Sequence, residues 1–268
     1  LSLIHLTNME NSLKTQYLNA GNISARINLH AKYSVNKQGW FSWIYEQCGL
    51  EPGIKVLETG CGDGRLWVDN IKNVEKLKNI KITVTDISEG MVNDARRNIG
   101  NGMFDYGVAD CMNLPFDDNS FDCVIANHVI FYCEEPGKAF KEIKRVLKPG
   151  GKAVFSTYGS HHMQEIAQLV NQFDKRIVLS ADVLYEKFGL DNGERLLKKY
   201  FNKIDKRLYD DYLLVDVAEP IIEYILSCHG NQNHYLLDRY SDFKAFIMKK
   251  TRKPLKITKE AGVFVCFN

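Results

Sequence analysis

The sequence predicts an α/β fold in which strands and helices alternate around an open, mostly parallel sheet. Three observations carry that prediction. An apolar run (Ile54, Val56, Leu57) feeds Glu58 and then glycines at 60, 62 and 64, followed by a stretch able to start a helix. That is the strand, loop and helix that open a nucleotide-binding domain. Later strand-like runs end in polar residues, Asp86, Asp110 and the pair Asn127-His128. Ligands of open α/β sheets collect at that edge, so the three tips support one another. The 268 residues, 45% hydrophobic and 25% charged, suit one globular α/β domain with insertions and an ample core.

The net charge of +2 gives no global sign of a nucleic-acid partner. The basic run near the C-terminus (Lys249, Lys250, Arg252, Lys253, Lys256, Lys259) reads as a solvated helix end and loop. Seven cysteines form no C-x-x-C pair and are odd in number, which fits reduced thiols in a cytoplasmic protein. Leu1–Leu6 is too short for a signal peptide and lacks a basic leader, with Met9 an alternative first residue. No apolar run approaches the roughly 20 residues of a membrane span, so a soluble protein is expected.

Residues from about Glu10 to Cys48 read as two or three helices, with Ile23, Ile27 and His30 on one face and Trp40, Trp43, Ile44 and Gln47 on another. They either pack outside the sheet or cover the ligand. The polar and aromatic link from Tyr33 to Trp40 favours the second, with Tyr33 and Trp40 closing a roof. The glycine loop follows. Glycines are required where the chain turns sharply from strand to helix at positive φ and a ligand lies against bare main chain. The spacing is E-x-G-x-G-x-G, not the G-x-G-x-x-G of a pyrophosphate site. A carboxylate at Glu58 repels a pyrophosphate and suits a cation. S-adenosylmethionine, with its sulfonium and ammonium groups, fits, lying along Gly60, Cys61 and Gly62.

A helix from Arg65 to about Lys78 and a strand from Ile80 to Thr85 lead to Asp86, at the distance where an acid takes both ribose hydroxyls. Its alternative role is a helix N-cap, but Ser88 is the better placed cap for the helix Glu89 to Ile99. Ile87 and Met91 flank that site, Met91 either backing the nucleoside or filling the core. The third strand, Phe104 to Ala109, ends in Asp110-Cys111-Met112, where an acid and adjacent N–H groups can read an adenine; the alternative for Asp110 is a turn residue bonding its own backbone. Phe121 to Ala126 is a buried fourth strand with Asn127 and His128 at its end. Pro136 starts a helix running to Leu147, Lys148-Pro149-Gly150-Gly151 closes it, and Lys152 to Thr157 is the fifth strand. Two helical insertions, about 162–201 and 217–250, flank a strand-like stretch from Lys203 to Val215, and Gly262–Phe267 is a last strand.

Four of these stretches carry a resemblance. Glu58-Thr59-Gly60-Cys61-Gly62-Asp63-Gly64 resembles motif I of the class I S-adenosylmethionine-dependent methyltransferases, and Asp86-Ile87-Ser88-Glu89-Gly90-Met91 resembles their D-x-S-x-x-M. The run F-K-E-I-K-R-V-L-K-P-G-G (140–151) resembles the turn before their fifth strand, and His162-Met163 an H-M of some bacterial relatives. Over about residues 54 to 158 the resemblance implies a Rossmann-like seven-stranded sheet with an antiparallel last strand. It also implies adenine at Asp110 and a cofactor-covering segment around Tyr33. The expected organisation is an N-terminal helical cap (1–50) and a cofactor-binding domain (51–268).

Methyl transfer from a sulfonium needs alignment and exclusion of water, and a base only if the acceptor keeps its proton until late. His128 is the best placed base; its alternative is a histidine held by backbone hydrogen bonds that shapes the cofactor site. His162 either meets the acceptor or stands on the surface at a helix start. No metal-ligand spacing occurs, and no metal is expected. The N-P-P-Y type tetrapeptide of base-methylating enzymes is missing after Asn127, which favours a small-molecule acceptor over nucleic acid. An RNA or protein methyltransferase and a non-catalytic cofactor-binding protein are the competing readings.

Overall fold

The computed structural model describes residues 23–100, 102–180 and 183–268. Leu1–Leu6, Met9 and the helical stretch expected from Glu10 to residue 22 lie outside them. The chain forms two compact units. One holds Gln38–Ser160, Leu184–Tyr209 and Ala261–Asn268; the other holds the residues up to Lys37, His161–Val183 and Asp210–Glu260.

Among the described residues nine strands occur: β1 Lys55–Thr59, β2 Lys81–Asp86, β3 Phe104–Val108, β4 Phe121–Asn127, β5 Leu147–Tyr158, β6 Lys203–Tyr209, β7 Tyr212–Val215, β8 Leu255–Thr258 and β9 Ala261–Phe267. The first unit contains a seven-stranded sheet of order β3-β2-β1-β4-β5-β9-β6. Strands β3 through β5 pair in parallel, and β9, last in the chain, runs antiparallel to both β5 and β6. The expected mostly parallel sheet with an antiparallel last strand is therefore present.

Alternation along each strand divides the core into two layers, because successive side chains leave opposite faces of a sheet. Leu57, Val124, Ala126, Phe155 and Phe264 pack on one face with Phe140 and Ile143 of the helix Pro136–Val146. Val56, Ile125, Val154 and Val265 pack on the other with Leu66 and Trp67 of the helix Arg65–Val74 and Ala95 of the helix Glu89–Ile99. The second of these layers also takes Ile44 and Cys48 from the helix Trp40–Cys48. Those contacts place that helix with the sheet.

Local chemistry sets the ends of these elements. Ser88 caps the helix Glu89–Ile99 by accepting from the Met91 N–H at 3.4 Å, as expected. The helix begun at Arg65 stops at Val74, a turn short of Lys78. The K-P-G-G stretch differs from expectation: it is a bulge inside β5 and not a turn ahead of it. Leu147 already pairs with Phe121, and the next pair is Cys123 with Lys152. Gly150 has φ +78°, and a Cβ on Gly151 would stand 2.9 Å from the Lys148 carbonyl oxygen and 3.0 Å from that of Asp122.

The second unit packs the helices Ile23–Tyr33, Gln164–Phe173, Ala218–Leu226 and Tyr240–Lys250 with the antiparallel pair β7–β8 around Leu29, Ile166, Leu213, Ile221, Phe243 and Ile257. The buried face of Ile23–Tyr33 is Leu29 and Tyr33, while Ile27 is exposed, a correction to the face expected from Ile23, Ile27 and His30. A four-residue spacing joins Leu29 to Tyr33, and it outweighs the weaker apolar pattern through the polar His30. Ser34 bridges to Leu213. There the buried Asp211 accepts hydrogen bonds from the Ser34 hydroxyl, the Asn36 N–H (3.0 Å) and the Lys259 ammonium (2.7 Å).

Two predictions follow from this packing. A Cβ on Gly60 would stand 1.8 Å from Val129 Cγ2, whereas one on Gly62 meets nothing within 4 Å, although both residues have positive φ. Thermal melts should therefore show Gly60→Ala lowering Tm by about 10 °C and Gly62→Ala by about 3 °C; equal losses would refute the close approach. Burial alone would raise the Asp211 carboxyl, but Lys259, Ser34 and Asn36 hold it below the ordinary carboxylate value. Asp211→Ala removes the carboxylate that faces a buried ammonium, and denaturant titration should show a loss of about 3 kcal/mol. The stability from this clasp is present above about pH 4 and is lost as acid protonates Asp211.

Candidate active site

The carboxyl ends of β1, β2, β3 and β4 open on a cavity of about 540 Å³. Its floor is the loop after β1, where Gly60, Gly62 and Gly64 have φ of +71°, +55° and +81°. The loop is held from both sides: the Cys61 N–H reaches the Thr85 carbonyl at 3.0 Å, and Gly60 lies against Val129 beyond β4. Over Gly62 the main chain is bare, with open space where a side chain would stand.

Carboxylates ring this floor. Glu58, at the end of β1, is only 1% exposed and accepts a 2.6 Å hydrogen bond from Trp67 Nε1. Burial pushes its carboxyl up to about 8 against the opposing pull of the Trp67 bond, and Asp86 and Asp63 add to the rise. Asp86 spans two segments, accepting from the Gly62 N–H through Oδ2 and from the Ser88 N–H through Oδ1, each at 2.9 Å. It thus buttresses the loop while Ser88 does the capping. Asp110 accepts from the Met112 N–H at 2.8 Å, the self-bonding turn weighed for it, and still lines the cavity. Ile87, 69% exposed, and Met91 stand beside Asp86 on the same wall.

At the far end β4 delivers Asn127 and His128. Asn127 Oδ1 accepts from the Ser156 hydroxyl at 2.6 Å and from Trp40 Nε1 at 3.3 Å, and the His128 N–H donates to Ser156 Oγ at 2.8 Å. His128 adopts φ +55°, uncommon for a side-chain-bearing residue. Its ring stacks on Trp40 with centroids 4.9 Å apart and lies 5.9 Å from Phe131. The backbone bond of the shaping role is therefore present together with the exposure to the cavity that a base needs.

The cavity brings together Trp40, Glu58, Gly60, Cys61, Gly62, Asp86, Ile87, Met91, Asp110, Cys111, Met112, Asn127 and His128. Tyr33 and His162 are not among its lining and belong to the other unit, where Tyr33 is buried in the core and His162 stacks on His30 at 6.0 Å. Sequence reasoning missed Thr59 and Asp63, which stand inside the glycine motif, and Arg65, which follows it; taking the whole run from Glu58 to Arg65 would have found them. It also missed Val129, Tyr132 and Cys133. Those arrive through the short 3₁₀ turn Ile130–Tyr132, whose Ile130 and Phe131 are buried while Tyr132 is exposed. Among the described residues no group of three or more His, Cys, Asp or Glu is arranged to hold a metal, and no helix is long and apolar enough to cross a membrane.

A bare-backbone floor and four carboxylates (Glu58, Asp63, Asp86, Asp110) facing one guanidinium (Arg65, itself 3.4 Å from Asp69) fit a cationic nucleoside. Comparison with known proteins agrees. Residues 57–155 match the family described as "Methyltransferase domain". The chain is 36% identical over 108 residues to cycloartenol-C-24-methyltransferase 1 of Oryza sativa subsp. japonica, a match covering 39% of this chain and 30% of that protein. It is 30% identical over 143 residues to the ubiquinone/menaquinone biosynthesis C-methyltransferase of Haemophilus ducreyi, covering 52% of this chain and 54% of that one. The match thus spans about half or less of these curated relatives. The structure of Haemonchus contortus phosphoethanolamine N-methyltransferase 2 in complex with S-adenosyl-L-methionine shares the fold, with a TM-score of 0.54 at 18% identity, over 92% of this chain and 56% of that one. Strand order, glycine loop and matched domain lead to one conclusion: residues 57–155 carry a methyltransferase domain of the class I S-adenosylmethionine-dependent kind.

Proposed function

We propose that the protein transfers the methyl group of S-adenosyl-L-methionine to a small-molecule acceptor. The observation that carries this reading is the cavity itself: bare main chain at Gly62 with Glu58, Asp86 and Asp110 at three neighbouring strand tips. The two curated relatives described above are named for cycloartenol and for ubiquinone and menaquinone biosynthesis, which supports a small metabolite over a macromolecule. The seven free cysteines suit a cytoplasmic protein.

In this reading Gly60, Cys61 and Gly62 support the cofactor with backbone, Asp86 takes ribose hydroxyls with lone pairs left over from its two N–H bonds, and Asp110 with the N–H groups around it reads the adenine. Ile87 and Met91 cover the nucleoside. Glu58 sets the charge at the amino-acid end. Bound there, the sulfonium supplies an already activated methyl group. The protein must then hold an acceptor in line and keep water out. Trp40 and His128, stacked at the Asn127 end, form the acceptor side, and His128 accepts a proton on its ring when the nucleophile still carries one.

Calorimetry with S-adenosylmethionine and turnover of methyl-labelled cofactor test the assignment. Asp86→Asn keeps the side-chain volume but removes the charge, and Asp86→Ala removes both. Each should weaken cofactor binding tenfold or more, about 1.4 kcal/mol. Unchanged affinity in Asp86→Ala would sink the reading. Glu58 predicts a pH dependence. Its carboxyl is protonated below about 8 in the free protein, and a cationic ligand favours the ionised form, so binding expels a proton. Affinity should rise with pH up to about 8 and level off. Glu58→Gln should flatten that profile and abolish the buffer-dependent proton release; an unaltered profile would remove Glu58 from the site.

A further inference from the structure

Two of the seven cysteines face each other across the wall of the cavity. Cys111 sits in the turn after β3 and Cys133 follows the 3₁₀ turn beyond β4; their sulfurs are 3.2 Å apart although 22 residues separate them in the chain. Both thiols line the cavity. We propose that Cys111 and Cys133 are a redox modification site, closing to a reversible intrachain disulfide that alters the cofactor cavity.

The chemistry needs a nucleophilic thiolate, a resolving thiol within reach and an oxidant. The hydrogen bond from Cys111 lowers the Cys133 thiol below its ordinary value, with Lys187 adding a small pull, while the same contact and burial push Cys111 well up. The first thiolate of the pair therefore forms on Cys133. It attacks one sulfur of a low-molecular-weight disulfide such as oxidised glutathione, forming a mixed disulfide and expelling one thiolate. Cys111 then loses its proton to solvent and attacks the Cys133 sulfur, expelling the second thiolate. Two protein thiols are oxidised and one small disulfide is reduced to two thiols. A disulfide needs its sulfurs about 2.05 Å apart, so the two turns must close by roughly 1 Å. One turn carries Asp110 and Met112. The other continues from His128 and Val129, and Val129 is the residue packed on Gly60. Closure therefore moves both walls of the cavity at once.

The cross-link is independent of the function proposed above; its effect on cofactor binding rests on that reading. The wild-type protein is equilibrated with oxidised and reduced glutathione, alkylated and digested, and the peptides are weighed. The expected product is a single Cys111–Cys133 cross-link, reversed by dithiothreitol and slowed by saturating S-adenosylmethionine. Cys111→Ser, which lacks the resolving thiol, should stop at the mixed disulfide and carry glutathione on Cys133. Both thiols still alkylated in oxidised glutathione, or a cross-link between other cysteines, overturns the proposal. Calorimetry then compares the two redox forms, with at least a tenfold weaker affinity expected after oxidation. Equal affinities overturn the effect on the cavity. A reduced protein that binds no S-adenosylmethionine refutes the methyltransferase reading, while the peptide result still decides the cross-link.

Discussion

The cavity depends on a contact too close for any side chain. Gly60 passes Val129 at a distance where a single added carbon would overlap a methyl group, and that approach lets the loop after β1 lie flat between the ends of β2 and β4. The loop is then tied to β2 twice, by Cys61 N–H on the Thr85 carbonyl and by Gly62 N–H on the Asp86 carboxylate. Neither tie is available to a helix-like or extended chain. Positive φ at Gly60 and Gly62 turns these N–H groups toward β2. A backbone so constrained needs no side chains to make a floor, and the volume they would fill is left for a ligand.

Electrostatics are built on the same scaffold. Parallel β1 and β2 are neighbours in register, Glu58 opposite Val84 and Thr59 opposite Thr85, so an acid near the end of each strand brings two carboxyl groups to one rim. Like charges in a poorly hydrated place resist ionising together. Asp86 accepts from two N–H donors, those of Gly62 and Ser88. Glu58, with one indole donor and almost no exposure, carries the conflict as a raised carboxyl value. A cation entering the cavity relieves that conflict, while an anion deepens it. Preference for charge is therefore set before any ligand arrives.

Much of this was legible because it is local. The glycine spacing, the acid at each strand tip and Ser88 as a cap are short patterns whose physical reasons act within a few residues. The seven-stranded sheet came from the resemblance, and its last strand was found where apolar residues run on from Gly262. What escaped depends on distant partners. β8 exists because Leu213 pairs with Ile257, 44 residues away, and nothing in Leu255–Thr258 alone announces it. The K-P-G-G stretch reads as a turn, and only the pairing of Leu147 with Phe121 makes it a bulge. Tyr132 and Cys133 reach the site because Ile130 and Phe131 bury ahead of them. Ile27 looked apolar and inward, yet Leu29 and Tyr33 had the larger area to bury.

The aromatic end of the cavity follows the same logic as the carboxylate end. Trp40 presents its face to His128 while its Nε1 is engaged by Asn127, and Tyr209 meets the Trp40 ring edge to face at 5.3 Å. An indole face is electron-rich and favours a cation over a neutral ring. Stacked there, an imidazole that takes up a proton meets a surface that stabilises the charge. The φ of +55° at His128 opposes this gain. Ser156 holds the Asn127-His128 corner, accepting from the His128 N–H and donating to Asn127 Oδ1. The corner so held fixes where the ring stands, between Trp40 and the cavity.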